Sequence, residues 1–380
     1  MSLPLDDRSR TAAVTKRRHG AGGALIAPAL LGWYDRRQRD LPWRREVSAY
    51  RTLVSEFMLQ QTVVAAAVPF FERFLARFPD LPTLAAASED QVLALWSGLG
   101  YYARARNLHR AARAVVEVHQ GQIPADEAAL LDLPGIGPYT AAAVAAIAFG
   151  RRTFALDGNA ARVVARLAAV AEPIDKPATR DRLREVGLGW VPTQRPGDFA
   201  QAVMELGATV CVPRTPVCGE CPLRTMCAAR RQNLTSEIPV KAIRPPKRMV
   251  RVASVRLRQG GRVLLVRRKT GLLAGTWMLP AAVMTAGTSP AVAARQVLRE
   301  LGIVSVRVTP VGSIRHLFTH RDITVDVFDG VSAQARSTGG APHPTTDQLW
   351  VDESRLDEVA VSSFLRKQLA LKRDKRSESP

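Results

Sequence analysis

Apolar and polar positions over roughly the first 230 residues recur with helical spacing, in Ala-rich stretches broken by turn signals at Phe78-Pro79-Asp80, Gly121, Leu133-Pro134-Gly135 and Arg195-Pro196-Gly197. This half is predicted to be mainly α-helical. The pattern changes at Arg231–Arg248, a basic stretch holding Pro239, Pro245 and Pro246 that is too polar and proline-rich to fold alone, and so predicts a linker. Beyond it, Val250–Leu257 and Val263–Val266 predict β-strands about a Gly260-Gly261 turn, Ile323–Phe328 alternates as a half-buried strand should, and Ala291–Leu301 predicts a helix. The expected organisation is a tail (1–28), a helical domain (29–230), a linker (231–248), a smaller α/β domain (249–372) and a second tail (373–380). With 380 residues the chain exceeds what one core usually supports, in keeping with two domains.

Composition narrows the class. There is no apolar run of about 18 residues with which to span a bilayer, so no membrane association through a spanning helix is expected. The first 28 residues carry Arg8, Arg10, Lys16, Arg17 and Arg18 without an apolar core ahead of a cleavage site, which predicts a disordered tail on an intracellular protein. Net charge is +20, which favours a polyanionic partner, although composition does not separate nucleic acid from a membrane surface or from a merely solvated basic face. Ala29–Arg230 holds 24 basic against 20 acidic residues, whereas Arg231–Pro380 holds 25 against 12. Most of the basic excess therefore lies outside the helical half.

Three segments carry candidate chemistry. Leu133-Pro-Gly-Ile-Gly-Pro-Tyr-Thr140 lies between helical patterns, with Gly135 and Gly137 where a backbone can turn tightly and Pro138 suited to a first helical turn. Such a hairpin can aim main-chain N–H groups at a DNA phosphate, or be an ordinary helix–helix turn. All four cysteines, Cys211, Cys218, Cys221 and Cys227, fall in one short segment with spacing Cys-x6-Cys-x2-Cys-x5-Cys. A disulfide framework would spread them, so one metal centre is expected, with zinc and iron-sulfur equally open on spacing alone. Glu56 sits in a helical stretch beside the apolar stripe of Leu53, Val54, Phe57, Met58 and Val64. A carboxyl at the edge of an apolar wall can stay protonated and serve as a general acid, but the pattern by itself favours a solvated helix residue. Asp157 precedes the helical stretch Ala160–Leu167 as an N-cap would.

The hairpin resembles the helix-hairpin-helix of DNA glycosylases, and the cysteine spacing is identical to that of the endonuclease III and MutY superfamily. With Leu41-Pro-Trp-Arg44, Gly98-Leu-Gly-Tyr-Tyr-Ala-Arg-Ala-Arg-Asn-Leu-His109 and Leu156-Asp-Gly-Asn159, the stretch from about Leu31 to Cys227 resembles the MutY family of adenine DNA glycosylases. The resemblance implies a 4Fe-4S cluster on the four cysteines, with a structural role. It implies that Glu56 protonates the adenine and that Asp157 stabilises an oxocarbenium-like sugar, a charge pattern that breaking an N-glycosidic bond requires. Tyr139 stands where endonuclease III enzymes place an amine nucleophile, which implies a monofunctional glycosylase; plain core filler is its other reading. Gln61 and Tyr101 match the side chains that enter the base stack on extrusion, and Arg44 and Asn159 match neighbours of the adenine and of the acid–sugar network. Leu133, Gly135 and Gly137 match the DNA-contacting hairpin.

In the second domain, Gly271-Leu-Leu-Ala-Gly-Thr-Trp-Met-Leu-Pro280 resembles the opening of the Nudix-like domain at the C-terminus of MutY proteins. Gln296 and Arg299 stand where a Nudix hydrolase needs glutamates for divalent cations, and the upstream position falls on Gly287, so a recognition module is expected. Phe318-Thr319-His320 matches the family's 8-oxoguanine-reading loop, with threonine in place of the usual serine. The expected partner is double-stranded DNA containing A:8-oxoguanine or A:G mispairs, met by a monomer in the cytoplasm, on the nucleoid. An endonuclease III-like glycosylase/lyase and a non-catalytic damaged-DNA binding protein are the alternatives.

Overall fold

The computed structural model describes residues 22–242, 245–304, 306–332 and 347–372. Most of the expected N-terminal tail, and the C-terminal tail beyond residue 372, lie outside the described residues. The expected boundary at residue 28 is corrected by the first helix, α1 (Gly22–Arg37), which begins before it. Ile26, Ala27, Leu30, Trp33 and Tyr34 share one helical face and are buried, so the apolar spacing that starts helix formation begins N-terminal to Ala29.

The helical half continues through α2 (Pro42–Arg45), α3 (Ala49–Leu59), α4 (Val64–Arg77), α5 (Leu81–Ala86), α6 (Glu89–Leu95), α7 (Ala103–His119), α8 (Glu127–Leu131), α9 (Pro138–Phe149), α10 (Gly158–Ala168), α11 (Pro177–Leu188), α12 (Pro196–Thr209) and α13 (Ala228–Arg231). Local chemistry sets several starts. Asp80 accepts from the Thr83 N–H, and Ser88 and Gln91 close a reciprocal capping box at α6.

These elements divide between two compact units. One holds the chain to Thr52, Ala125–Leu131 and Gly137–Ala242; the other holds Leu53–Pro124, Asp132–Ile136 and the chain from Ile243. The core of the first joins Leu30 and Tyr34 of α1 to Val163 and Val164 of α10 and to Phe199, Val203 and Leu206 of α12. In α9 an unbroken run from Ala141 to Ala146 is buried, and small side chains let α12 approach closely: a Cβ on Gly197 would sit 2.7 Å from the Ala146 carbonyl oxygen.

The second unit combines α4 to α7 with the C-terminal sheet. Phe74 packs edge-on against Phe78 and Trp96, with ring centroids 5.1 and 6.0 Å apart. All three rings are fully buried, each contributing about 2–3 kcal/mol by removal from water. The strands are β1 (Arg248–Gln259), β2 (Arg262–Arg267), β3 (Trp277–Met278), β4 (Ala281–Val283), β5 (Val306–Leu317), β6 (Arg321–Ser332) and β7 (Gln348–Asp352), with α14 (Pro290–Glu300) and α15 (Ser363–Leu369). The central path runs β3-β2-β1-β6-β5, with β4 on β1 and β7 on β2. β1 and β6 pair in parallel from Arg248↔Arg321 to Leu257↔Gly330, and β5 and β6 form an antiparallel hairpin. Ala293, Ala294, Val297 and Leu298 of α14 cover Ala253, Val255 and Phe328 of the sheet.

Both long strands outrun the expected segments. The added ends of β6 carry Asp322 and Asp329, satisfied by partners on neighbouring strands: buried Arg256 of β1 donates from Nε to Asp329 Oδ1 at 2.7 Å, and Arg315 of β5 pairs with Asp322 through Nη2–Oδ2 at 2.5 Å. Charged pairs of this kind hide a strand from a reading based on apolar alternation. The Gly260-Gly261 turn is as expected, with both glycines at positive φ (54° and 79°).

Candidate active site

Glu56 sits in α3, where every residue from Thr52 to Met58 is buried; its own exposure is 4%. The solvated-residue reading that the pattern favours is therefore overturned. Leu53, Val54, Phe57 and Met58 of the same helix are buried with it, so Glu56 belongs to the interior and not to a solvated face.

The turn after α3 leads to Gln61, which is exposed and holds φ at 57°; Tyr101, ahead of α7, is 46% exposed at φ 51°. Left-handed backbone is uncommon for non-glycine residues and costs free energy that the surroundings must supply. Both side chains line one cleft of about 700 Å³ together with Arg104, Leu273, Phe318 and Thr319. The Tyr101 and Thr319 hydroxyls are 3.3 Å apart and hydrogen-bonded. Phe318-Thr319-His320 forms the tip of the β5–β6 hairpin, closed by the Phe318 N–H on the Arg321 carbonyl at 2.8 Å. Phe318 is anchored in an aromatic trio with His316 and Phe364, at centroid distances of 4.6 and 5.4 Å. His320 accepts the Arg248 N–H through its carbonyl, which leaves its ring exposed. Two loops some 200 positions apart in sequence thus share one site.

The hairpin is built as its residues suggest. The Ile136 N–H reaches the Leu133 carbonyl at 3.2 Å, and Gly135 takes φ 75°, where a Cβ would also strike the Asn107 side chain. The Leu133 side chain is buried, so its main chain alone is available to a ligand. Gly137 caps α9 without any side-chain hydrogen bond, and Pro138 fills the first helical turn. Tyr139 is partly buried against Ala142, Ala143 and Ala155, with its hydroxyl 3.9 Å from Met204 Sδ.

Asp157 caps α10, its Oδ1 accepting the Ala160 N–H at 2.6 Å, so the N-cap reading is correct whatever else this residue does. Burial raises its carboxyl above the ordinary value of 3.8, against the lowering effect of the Ala160 and Asn159 N–H groups and of Arg162. Asn159 Oδ1 accepts from Arg162 Nη2 at 2.9 Å, and a Cβ on Gly207 would come within 2.7 Å of Asn159 Cβ. Arg44 is held by Glu205 (Nη2–Oε2 2.9 Å), Gln201 and the Arg39 carbonyl, with Tyr34 beneath it at 5.3 Å. Its hydrogen bonds fix the α1–α2 corner against α12, a role that its position in the sequence does not disclose.

The four cysteines line one apolar cavity with Val163, Leu206 and Leu223. Burial pushes the Cys221 thiol up to about 11, and Cys211, Cys227 and Cys218 act in the same direction, as thiols sharing one enclosure do. Among the described residues, no group of three or more His, Cys, Asp or Glu side chains is arranged to hold a single metal ion. Thiols alone, spaced around an enclosed apolar space, fit a four-thiolate cluster.

Three arginines that sequence reasoning passed over organise these parts. Arg162 Nε donates to the Cys211 carbonyl at 2.7 Å, and Arg166 donates to the carbonyls of Ile238, Val212 and Pro213 at 2.7–2.8 Å and to Cys211 Sγ at 3.4 Å. Their spacing of four along α10 was the available signal, masked by the assumption that arginines face solvent. Arg104 is the third. On α14, Arg295 and Arg299 share a concavity with Arg307, a lining that would repel the divalent cations of a Nudix hydrolase.

Residues 54–187 match the model of the HhH-GPD superfamily base excision DNA repair proteins, and residues 252–371 match a NUDIX domain. The adenine DNA glycosylase of Homo sapiens is 35% identical over 89% of this chain and 72% of its own length. That of Mycolicibacterium smegmatis is 46% identical over 52% of this chain and 68% of its own. A solved thermostable thymine-DNA glycosylase overlays with a TM-score of 0.51 at 26% identity, covering 56% of this chain and 97% of that one.

Proposed function

Since the chain belongs to the MutY family of adenine DNA glycosylases, we propose that it excises adenine paired with 8-oxoguanine, and with guanine, and that it leaves an abasic site without cutting the strand. It is a DNA N-glycosylase of base excision repair. The observation that carries the finer reading is the cleft in which Tyr101, on a strained turn, meets Thr319 at the tip of the Phe318-Thr319-His320 hairpin. A site that replaces an extruded base needs an exposed, rigidly mounted side chain, and a site that reads the base opposite needs a nearby polar tip. One cleft supplies both.

In the reaction we assign to it, the C1′–N9 bond of the adenine nucleotide breaks and its electron pair stays on the base. The buried Glu56 carboxyl delivers a proton to N7, so that adenine leaves neutral. The sugar, left oxocarbenium-like, is stabilised by the Asp157 carboxylate until water adds at C1′ and gives up a proton. Tyr139 offers no amine to the sugar, which supports hydrolysis over a Schiff base. Cys211, Cys218, Cys221 and Cys227 would hold a 4Fe-4S cluster, which supplies a structural tie; Arg162 and Arg166 order the segment around it.

Incubation with a duplex containing one A:8-oxoguanine pair tests this reading. Free adenine and strand breaks that form only after alkali are expected, with no adduct trapped by borohydride. Breaks without alkali, together with a trapped adduct, would establish a lyase instead, and no release of adenine would favour a silent binder of damaged DNA.

A further inference from the structure

Arg104, in the first turns of α7, is buried, and among the described residues no carboxylate pairs with it. Nε has no partner among the described residues, and the two terminal nitrogens are bonded mostly to main-chain oxygens. Nη1 donates to the carbonyls of Phe57 at 3.0 Å, Met58 at 2.8 Å and Gln60, while Nη2 donates to the Gly100 carbonyl and to Thr62 Oγ1, both at 3.1 Å. The first three are C-terminal carbonyls of α3 and its following turn, the groups a helix leaves without partners and where its dipole favours a cation. The guanidinium also lies 5.2 Å from the Tyr101 ring centroid and 5.6 Å from that of Trp96.

The pattern is specific in what it joins. Gln60 and Gly100 each immediately precede one of the two left-handed residues, Gln61 and Tyr101, so a single planar cation fixes the carbonyl on the near side of both strained turns. A lysine could reach some of these oxygens but could not fork across both turns while stacking on a ring.

We propose that Arg104 is a positioning residue that presets Gln61 and Tyr101 for entry into the base stack, so that the energy of unstacking is met by two side chains already in place. This rests on the reading of the cleft as the site of adenine extrusion. Arg104 acts through the two turns, since both of its terminal nitrogens are engaged with the oxygens of those turns and of α3.

The test compares single-turnover release of adenine from two duplexes, each with one A:8-oxoguanine pair. One is fully paired, and the other has mismatched pairs on both sides of the adenine, where extrusion costs less. Arg104→Met is expected to slow release from the paired duplex by about 10–100-fold and from the weakened duplex by roughly 3-fold or less, with Arg104→Lys between it and wild type. Fluorescence of 2-aminopurine beside the adenine should report less extrusion by the variant on the paired duplex only. Equal losses on both duplexes would show a merely structural residue and overturn the proposal, as would an unchanged rate. Should Arg104→Met fail to melt cooperatively, Thr62→Val, which removes one anchor and keeps the arginine, must show a larger loss on the paired duplex than on the weakened one, on a smaller scale; equal losses on the two then overturn the proposal. Wild-type protein that releases adenine from neither duplex overturns the reading of the site itself, and that outcome is visible before any variant is made.

Discussion

Asp157 meets two demands that pull against each other. As the cap of α10 it accepts the Ala160 N–H, and in the proposed reaction it must be ionised to face a positive sugar, yet burial raises its carboxyl above the ordinary 3.8. A raised carboxyl favours the neutral form in the fold, so its contribution to stability is present below the ordinary value and is lost as pH rises through the folded value. Asparagine caps helices equally well and carries no charge. Asp157→Asn should therefore melt at the same temperature as wild type or higher at about pH 7.5, while adenine release falls by about 100-fold or more. Lower stability together with intact activity would remove Asp157 from the reaction. The proposal that Glu56 and Asp157 act together rests on the motifs around them and not on any pattern of their own. The burial of Glu56 was not legible: Thr52, Ser55 and Glu56 interrupt the apolar run, so a helix buried on every side has the sequence of an amphipathic one. Thr319 is a simpler case. Its hydroxyl bonds Tyr101, so Thr319→Val should weaken discrimination between 8-oxoguanine and guanine opposite adenine, measured as the ratio of excision rates. An unchanged ratio would leave the hairpin tip without a reading role.

The hairpin and the cysteine segment show how far spacing alone carries at the level of elements. Gly135 and Gly137 were readable as a turn, yet only Gly135, at φ 75°, needs a glycine; Gly137 is extended with open space for a Cβ, and the side chain that enforces Gly135 is Asn107, on α7, which no local pattern points to. Gly135→Ala combines an unfavourable φ of 75° with that collision, and should cost about 1–3 kcal/mol in stability along with weaker binding to any duplex, damaged or not. Denaturant unfolding and binding to an undamaged duplex measure the two effects; full stability in the alanine variant would mean that Asn107 swings clear at no cost. The cysteine spacing implied a shared centre, while the signal in the α10 arginines beside it was masked, since arginines are expected to face solvent and their acceptors are carbonyls far along the chain. Arg166→Met leaves the carbonyls of Ile238, Val212 and Pro213 without that donor. If the cysteines hold a cluster, the variant should purify with less iron per chain and lose the rest faster on dilution. Equal iron retention would show that the thiols need no help from α10.

Two compact units cut across the order of the sequence, since 53–124 and 132–136 fall in one unit with the chain beyond 243. Composition drew the boundary at the proline-rich stretch, which marks where the chain changes from helix to strand; which helices pack with the sheet depends on partners such as Tyr102, whose hydroxyl donates to the Val361 carbonyl at 2.7 Å. Charge gives a property that survives this difference. The excess of basic residues after Arg231, 25 against 12 acidic, is not consumed by ion pairs: Arg295, Arg299 and Arg307 have no carboxylate partner among the described residues. Basic side chains free of internal partners attract phosphate without regard to base sequence, and binding that releases counterions weakens steeply with salt. Raising salt from about 50 to 200 mM should therefore lower affinity for an undamaged duplex by about 10³-fold or more, if six or more phosphates are neutralised. Base-edge contacts at the cleft add affinity without adding phosphates, so the A:8-oxoguanine duplex should weaken along a parallel line and the ratio of the two affinities should stay flat. Parallel slopes would place damage recognition in polar and stacking contacts such as those of Tyr101 and Thr319. A ratio that collapses with salt would instead mean that the preference for damage is itself carried by charge, and the cleft would lose its claim to it.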